Sequence, residues 1–196
     1  MLTVFKPVAE KTLAPIARLL RSVPPNVLTL LGLVFPVVFF VLLINELYWW
    51  ALAALVLNVA DMLDGLVARS QNKVTAFGGF LDSTVDRFAD FTVIAAFAFA
   101  DIISWEIVAP LLLLTYLISY IRSRTELAAK GNLVAAVGLV ERAERFAVIF
   151  AGLLLYAVWP HVEWLGLNIA GLACILLILL SIVTVGQRVL FAYRKL

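Results

Sequence analysis

The chain has 196 residues, 64% of them hydrophobic and 14% charged, with a formal net charge of +2. So apolar a composition excludes an ordinary water-soluble domain, and so small a net charge argues against a nucleic-acid binder. The single cysteine, Cys174, excludes an intrachain disulfide and a structural thiol-metal cluster.

A helix through residues 2–21 gathers Leu2, Phe5, Val8, Thr12, Leu13, Ile16, Leu19 and Leu20 on one face and Lys6, Glu10, Lys11, Arg18 and Arg21 on the other. That pattern predicts a helix lying flat in the membrane interface. It lacks the charged head and compact apolar stretch of a cleavable signal, so Met1 to Leu196 reads as one mature unit. After the break at Pro24-Pro25-Asn26, apolar stretches follow at 27–44, 47–60, 88–100, 107–121, 146–159 and 164–185. The second and third fall short of the ~20 residues that a bilayer requires, unless the second runs through Leu63 to Val67 and the third starts at Phe77. The expected fold is therefore an all-α integral membrane protein of six transmembrane helices preceded by an N-terminal amphipathic interfacial helix. Residues 1–22 form that helix and residues 27–193 the six-helix bundle of a single domain. No repeat or low-complexity linker interrupts it.

The connections at 45–46, 101–106 and 160–163 carry no Lys or Arg, whereas the alternate connections and both termini carry nearly all of them. Arg87 lies inside the third stretch. Positive charge collects on the cytoplasmic side of membranes, which puts both termini and the loops near Lys73 and Lys130 there. The Trp residues 49, 50, 105, 159 and 164 then mark the outer interface. His161 also falls on that side, away from the acidic residues, and is given no catalytic role.

Asp61 and Asp64 stand three apart, Asp82 and Asp86 four apart, so each pair projects from one helical face. The helices bearing them are consecutive and antiparallel, and a short connection favours their being neighbours. Four converging carboxylates could not all stay ionised without cations. Oxygen-only donors, with no His or Cys nearby, suit Mg²⁺, Mn²⁺ or Ca²⁺, ions that commonly handle phosphate groups. Gly65 and Gly78-Gly79 are places where a nucleotide or a backbone can approach closely. Two other readings compete: ion pairing with Arg69 and Arg87, and a cation transporter whose carboxylates hold the transported ion. Against transport, no charged residue continues the path to the other face.

Residues 61–86 read DMLDGLVARSQNKVTAFGGFLDSTVD and match without departure the signature DxxDGxxARx₈GxxxDxxxD. On this motif the chain resembles the CDP-alcohol phosphotransferase family. The resemblance implies a homodimer with a two-metal site, of Mg²⁺ or Mn²⁺, open to the cytoplasm. Asp61, Asp64, Asp82 and Asp86 match its metal ligands, and Asp86 its general base. Asp61, Gly65, Ala68, Arg69 and Gly78 match positions at the CDP-lipid, and Pro25 and Thr29 resemble the family's start of the first span beside the nucleotide.

Arg122 and Arg124 end the fourth apolar stretch, Arg142 and Arg145 begin the fifth, and Arg188 follows the sixth. Singly, such residues serve topology and anionic lipid; together they suggest a pocket for a phosphate. The segments ISYIRSRTELAAKG, GLVERAERF and GQR resemble the family branch that makes phosphatidylinositol phosphate or archaetidylinositol phosphate. That resemblance implies transfer of a lipid phosphate from CDP-diacylglycerol or CDP-archaeol to inositol 1-phosphate. Ser119, Arg122, Arg124, Arg142 and Arg188 would bind this acceptor. Arg122 stands where the actinobacterial branch has Lys, which keeps the charge and alters the hydrogen-bond geometry. Glycerol 3-phosphate is the alternative anionic acceptor.

Overall fold

A computed structural model of the chain describes residues 22–57, 67–69, 71, 74–130, 133–135 and 137–196. The expected interfacial helix and Asp61, Asp64 and Gly65 lie outside the described residues. The chain divides into two compact units, residues 2–96 and 97–196.

In the first unit, α1 (Pro25–Leu31) and α2 (Val34–Ile44) make up the first expected span, interrupted at Gly32-Leu33. Pro at the first helical position suits α1, since its missing N–H would have no helical partner there. A tight turn then leads into α3 (Tyr48–Leu57), which packs against α2. Glu46, at φ 60°, makes the turn, with Glu46 N donating to Leu43 O and Leu47 N to Leu42 O at 3.0 Å each. This pair of bonds is a Schellman closure formed without glycine. Phe39 and Leu43 meet Ala51, Leu52, Ala54 and Leu55 in the buried seam. α4 (Ala76–Phe99) starts where the length argument placed it, one residue before Phe77. Asp101, at φ 53°, closes its far end in the same manner, through Asp101 N to Ala98 O and Ile102 N to Phe97 O.

The second unit is organised on α7 (Ile169–Lys195), which packs against both α5 (Trp105–Ala128) and α6 (Arg142–Val158). Its buried residues Ala170, Cys174, Leu177, Ser181, Thr184 and Arg188 recur at three and four, a single face. Gly152 of α6 is the point of closest approach: a Cβ there would lie 2.7 Å from Ala173 Cβ, the small-residue contact by which apolar helices pack in lipid. The last helix begins at Ile169, not at residue 164 as the apolar run suggested. Glu163–Trp164 and Leu167–Asn168 instead form β1 and β2 of a hairpin whose central residues, Leu165 and Gly166, both have positive φ. Asn168 then caps α7 by accepting from Gly171 N at 2.8 Å, and its amide donates to Ile102 O at 2.6 Å. Lys130, expected in a solvated loop, takes φ 53° after α5 and donates its N–H to Leu127 O, so it belongs to the helix closure.

Among the described residues, three segments are long and apolar enough to cross a membrane: Pro25–Ile44, Trp105–Ala128 and Ile169–Lys195. Their outward residues, such as Leu30, Val37, Val41, Leu113, Leu176, Leu179 and Ile182, are about half exposed. Contiguous apolar surface on this scale belongs in lipid rather than water. All five Trp are exposed as well.

The Gly152 contact leads to a stability prediction. Gly152→Ala should lower the melting temperature in detergent, overpacking of this kind costing about 1–3 kcal/mol. Gly186→Ala, where an added Cβ meets nothing within 4 Å, should leave it unchanged or raised, and equal behaviour of the two variants would refute the tight α6–α7 contact.

Candidate active site

The start of α4 borders a cavity of about 300 Å³ in the first unit, lined by Pro25, Asn26, Thr29, Ala68, Arg69, Val74, Thr75, Gly78, Gly79 and Asp82. Seven of these are residues singled out from the sequence, and they come from three separate stretches of chain. Thr29, buried at the middle of α1, turns its hydroxyl back to Pro25 O at 3.2 Å. Gln71 Nε2 donates to Val23 O at 3.4 Å, tying the segment that carries Ala68 and Arg69 to the chain before α1. Thr75 Oγ1 accepts from Gly78 N at 3.0 Å, the bond of an N-cap.

Gly78 is closely approached by its neighbours. A Cβ there would lie 3.1 Å from Thr75 Oγ1 and 3.4 Å from Asn26 Oδ1, whereas one at Gly79 would meet nothing within 4 Å. The first turn of a 24-residue helix therefore borders the cavity with little side-chain cover. The positive end of the helix dipole makes such a terminus receptive to phosphate.

One turn beyond Asp82 on the same helical face lies Asp86, and one turn beyond that Asp90, a position the signature does not include. Arg87 Nη2 sits 3.4 Å from Asp86 Oδ2 and 3.7 Å from Asp90 Oδ2, and Asp90 is only 2% exposed. The pairing of Arg87 expected as an alternative to metal is thus present, but it engages Asp86 and Asp90. Carboxylate oxygens are the donors that hard divalent cations take, and Asp82 offers them at the cavity wall. The donor chemistry therefore fits such a cation. Among the described residues no group of three or more His, Cys, Asp or Glu converges; Asp61 and Asp64 lie outside them.

The basic residues belong to the second unit. Arg122, Arg145, Glu126 and Glu141 all lie within electrostatic reach of the Arg188 guanidinium. Arg122 Nε donates to Glu126 Oε1 at 3.0 Å, and the same oxygen accepts from Ala135 N at 3.1 Å. Arg142 stacks over the Phe146 ring at 5.4 Å, Ser119 is half-buried and Arg124 is exposed. Arg145, at 2% exposure, is the more buried arginine of α6. Its position three residues after Arg142 was the available signal. Arg188, 4% exposed, donates from Nη1 to Ile118 O at 2.6 Å and from Nε to Val137 O at 2.8 Å.

Asn26, Val74 and Thr75 complete the cavity without having been singled out as binding residues. The sequence marks Asn26 only as part of a break. Thr75 was legible as a cap three residues before Gly78.

The family model for CDP-alcohol phosphatidyltransferases matches residues 22–189. Archaetidylinositol phosphate synthase from Pyrococcus horikoshii is 34% identical over an alignment covering 100% of this chain and 98% of the relative. Phosphatidylinositol phosphate synthase from Mycobacteroides abscessus is 34% identical over 74% of this chain and 64% of the relative. The crystal structure of the Mycobacterium tuberculosis phosphatidylinositol phosphate synthase with CDP-DAG bound superposes with a TM-score of 0.77 at 28% identity, covering 91% of this chain and 92% of that one. The same enzyme in complex with manganese and citrate gives 0.78 at 27% identity, over 91% and 88%. Matched by the family pattern over most of its length and by a relative over all of it, the chain belongs to the CDP-alcohol phosphatidyltransferase family.

Proposed function

We propose that the chain transfers a phosphatidyl or archaetidyl group from a CDP-lipid to inositol 1-phosphate, releasing CMP. The observation that carries this reading is the cavity at the start of α4. There Pro25, Thr29, Ala68, Arg69, Gly78 and Asp82 line one wall system, in a chain whose relatives include inositol phosphate synthases and a neighbour with CDP-DAG bound.

In this reading the α4 N-terminus and Arg69 receive the diphosphate, with Asn26 and Thr75 beside the nucleotide. Asp61, Asp64, Asp82 and Asp86 would hold two divalent ions, Mg²⁺ or Mn²⁺, which when bound neutralise the diphosphate and the departing CMP. Asp86 accepts the proton of the acceptor hydroxyl. The hydroxyl oxygen then forms a bond to the lipid-bearing phosphorus as the bond from that phosphorus to the CMP oxygen breaks. Ser119, Arg122, Arg124, Arg142 and Arg188 serve the acceptor, and the surplus of arginine over Glu126 and Glu141 favours an anionic one.

Six spans, cytoplasmic termini and site, and a homodimer complete the proposal. A helix of 24 residues, the length of α4, reaches about 36 Å, enough for a hydrocarbon core despite its charged residues.

The decisive assay follows CMP release from a CDP-lipid with Mg²⁺ or Mn²⁺ and inositol 1-phosphate, glycerol 3-phosphate, myo-inositol or serine. Inositol 1-phosphate should be the productive acceptor. A preference for glycerol 3-phosphate would keep the chemistry and overturn the acceptor, and no metal-dependent release with any of them would restore the transporter reading. Asp86→Asn should reduce turnover by at least about a hundredfold while CDP-lipid binding persists, and near-normal turnover would remove Asp86 as the base. Arg142→Ala should raise the KM for inositol 1-phosphate by at least about tenfold with little change in the KM for CDP-lipid. An unaltered acceptor KM would exclude Arg142 from that site.

A further inference from the structure

Helix α6 is entered through the irregular segment 137–141, and two side chains of α7 fix its place there. Arg188 Nε donates to Val137 O at 2.8 Å. Val140 N donates to Thr184 Oγ1 at 3.1 Å, while the same hydroxyl donates to Leu180 O at 2.9 Å. Thr184 is wholly buried. Between these bonds Gly138 takes φ +142°, and a Cβ on it would lie 2.5 Å from Thr184 Cγ2. No other residue fits so close to the helix at that φ. The segment ends at Glu141, whose capping box with Glu144 starts α6, Glu141 N donating to Glu144 Oε2 at 3.2 Å.

Arg188 is one of the residues expected, with Ser119, Arg122, Arg124 and Arg142, to bind the acceptor. A guanidinium offers two donor pairs, Nε with Nη2 and Nη1 with Nη2. Here Nε is engaged by Val137 O and one Nη1 donor by Ile118 O, while Nη2 lies 3.9 Å from Glu141 Oε1. Each pair has thus committed one of its members to the protein.

We propose that Thr184 is a positioning residue for the acceptor. With Gly138 it sets the register of the 137–141 strap, and thereby the angle at which α6 presents Arg142 and Arg145. Arg188 acts chiefly through the same strap. This rests on the inositol 1-phosphate reading above, and deepens it by assigning acceptor recognition to a residue that never touches the acceptor.

Steady-state kinetics on the full chain, with both substrates varied, test the idea. Thr184→Val keeps the shape and removes the acceptor for Val140 N–H. It should raise the KM for inositol 1-phosphate roughly fivefold, the equivalent of one buried hydrogen bond, with kcat and the KM for CDP-lipid within about twofold. Thr184→Ser should restore the wild-type value. Should the valine variant not accumulate, Thr184→Ala gives the same comparison. An unchanged acceptor KM, an equal rise in both KM values, or no rescue by serine would overturn the proposal. Wild-type protein that does not use inositol 1-phosphate would instead overturn the reading beneath it. Amide exchange at Val140, faster in Thr184→Val than in wild type, would still confirm the strap in that case, and unaltered exchange would refute it.

Discussion

Like charges held at four-residue spacing on a helix repel one another unless cations are brought to them, and Asp82, Asp86 and Asp90 take three such positions on α4. Asp90, almost fully buried, would lose its hydration with nothing in return if it stood alone. Arg87 reaches Asp86 and Asp90 together, and Asp82 forms part of the cavity wall with Arg69, two cations to three carboxylates. The same helix begins with amides and glycines at that cavity. A single element thus offers partial positive charge for phosphate at its tip and carboxylate oxygen for hard cations one turn deeper, the pairing that diphosphate chemistry requires.

The second unit has the opposite imbalance. Arg122, Arg145 and Arg188 face Glu126 and Glu141, so the cluster is cationic after internal neutralisation. Much of its hydrogen-bonding capacity is nevertheless spent on the protein: Arg122 on Glu126, Arg188 on two backbone carbonyls. What such a cluster presents is mainly field. Field of this sign favours any anionic acceptor, and choice among anions falls to how the less committed donors are held.

The place of Asp82 at the cavity, beside Gly78 and Gly79, was legible from the sequence because helical geometry turns spacing into direction. The same holds for the start of α4, placed by the length a bilayer demands. Less could be read where the backbone itself decides. Glu46, Asp101, Lys130 and Leu165 adopt positive φ without being glycine, so no residue type announces the closures they make. The hairpin before α7 was hidden inside an apolar run because Trp164, Leu165 and Leu167 resemble the start of a helix in hydropathy. Arg188 shows a different limit. Its charge and position were visible, but the carbonyls that occupy it lie 51 and 70 residues away in sequence, beyond the reach of local pattern.

Those carbonyls follow from a requirement of the apolar environment. Where water is scarce, a non-helical backbone must find partners for its N–H and C=O groups in surrounding protein. Residues 137–141 have no ladder of their own, and α7 supplies what they lack: Thr184 accepts the Val140 amide and Arg188 donates to the Val137 carbonyl. Saturating the backbone and orienting the start of α6 are therefore one event. The bonds that make an irregular entry to a helix tolerable also hold the start of α6, and on the proposed reading acceptor recognition is tied to groups whose evident work is structural.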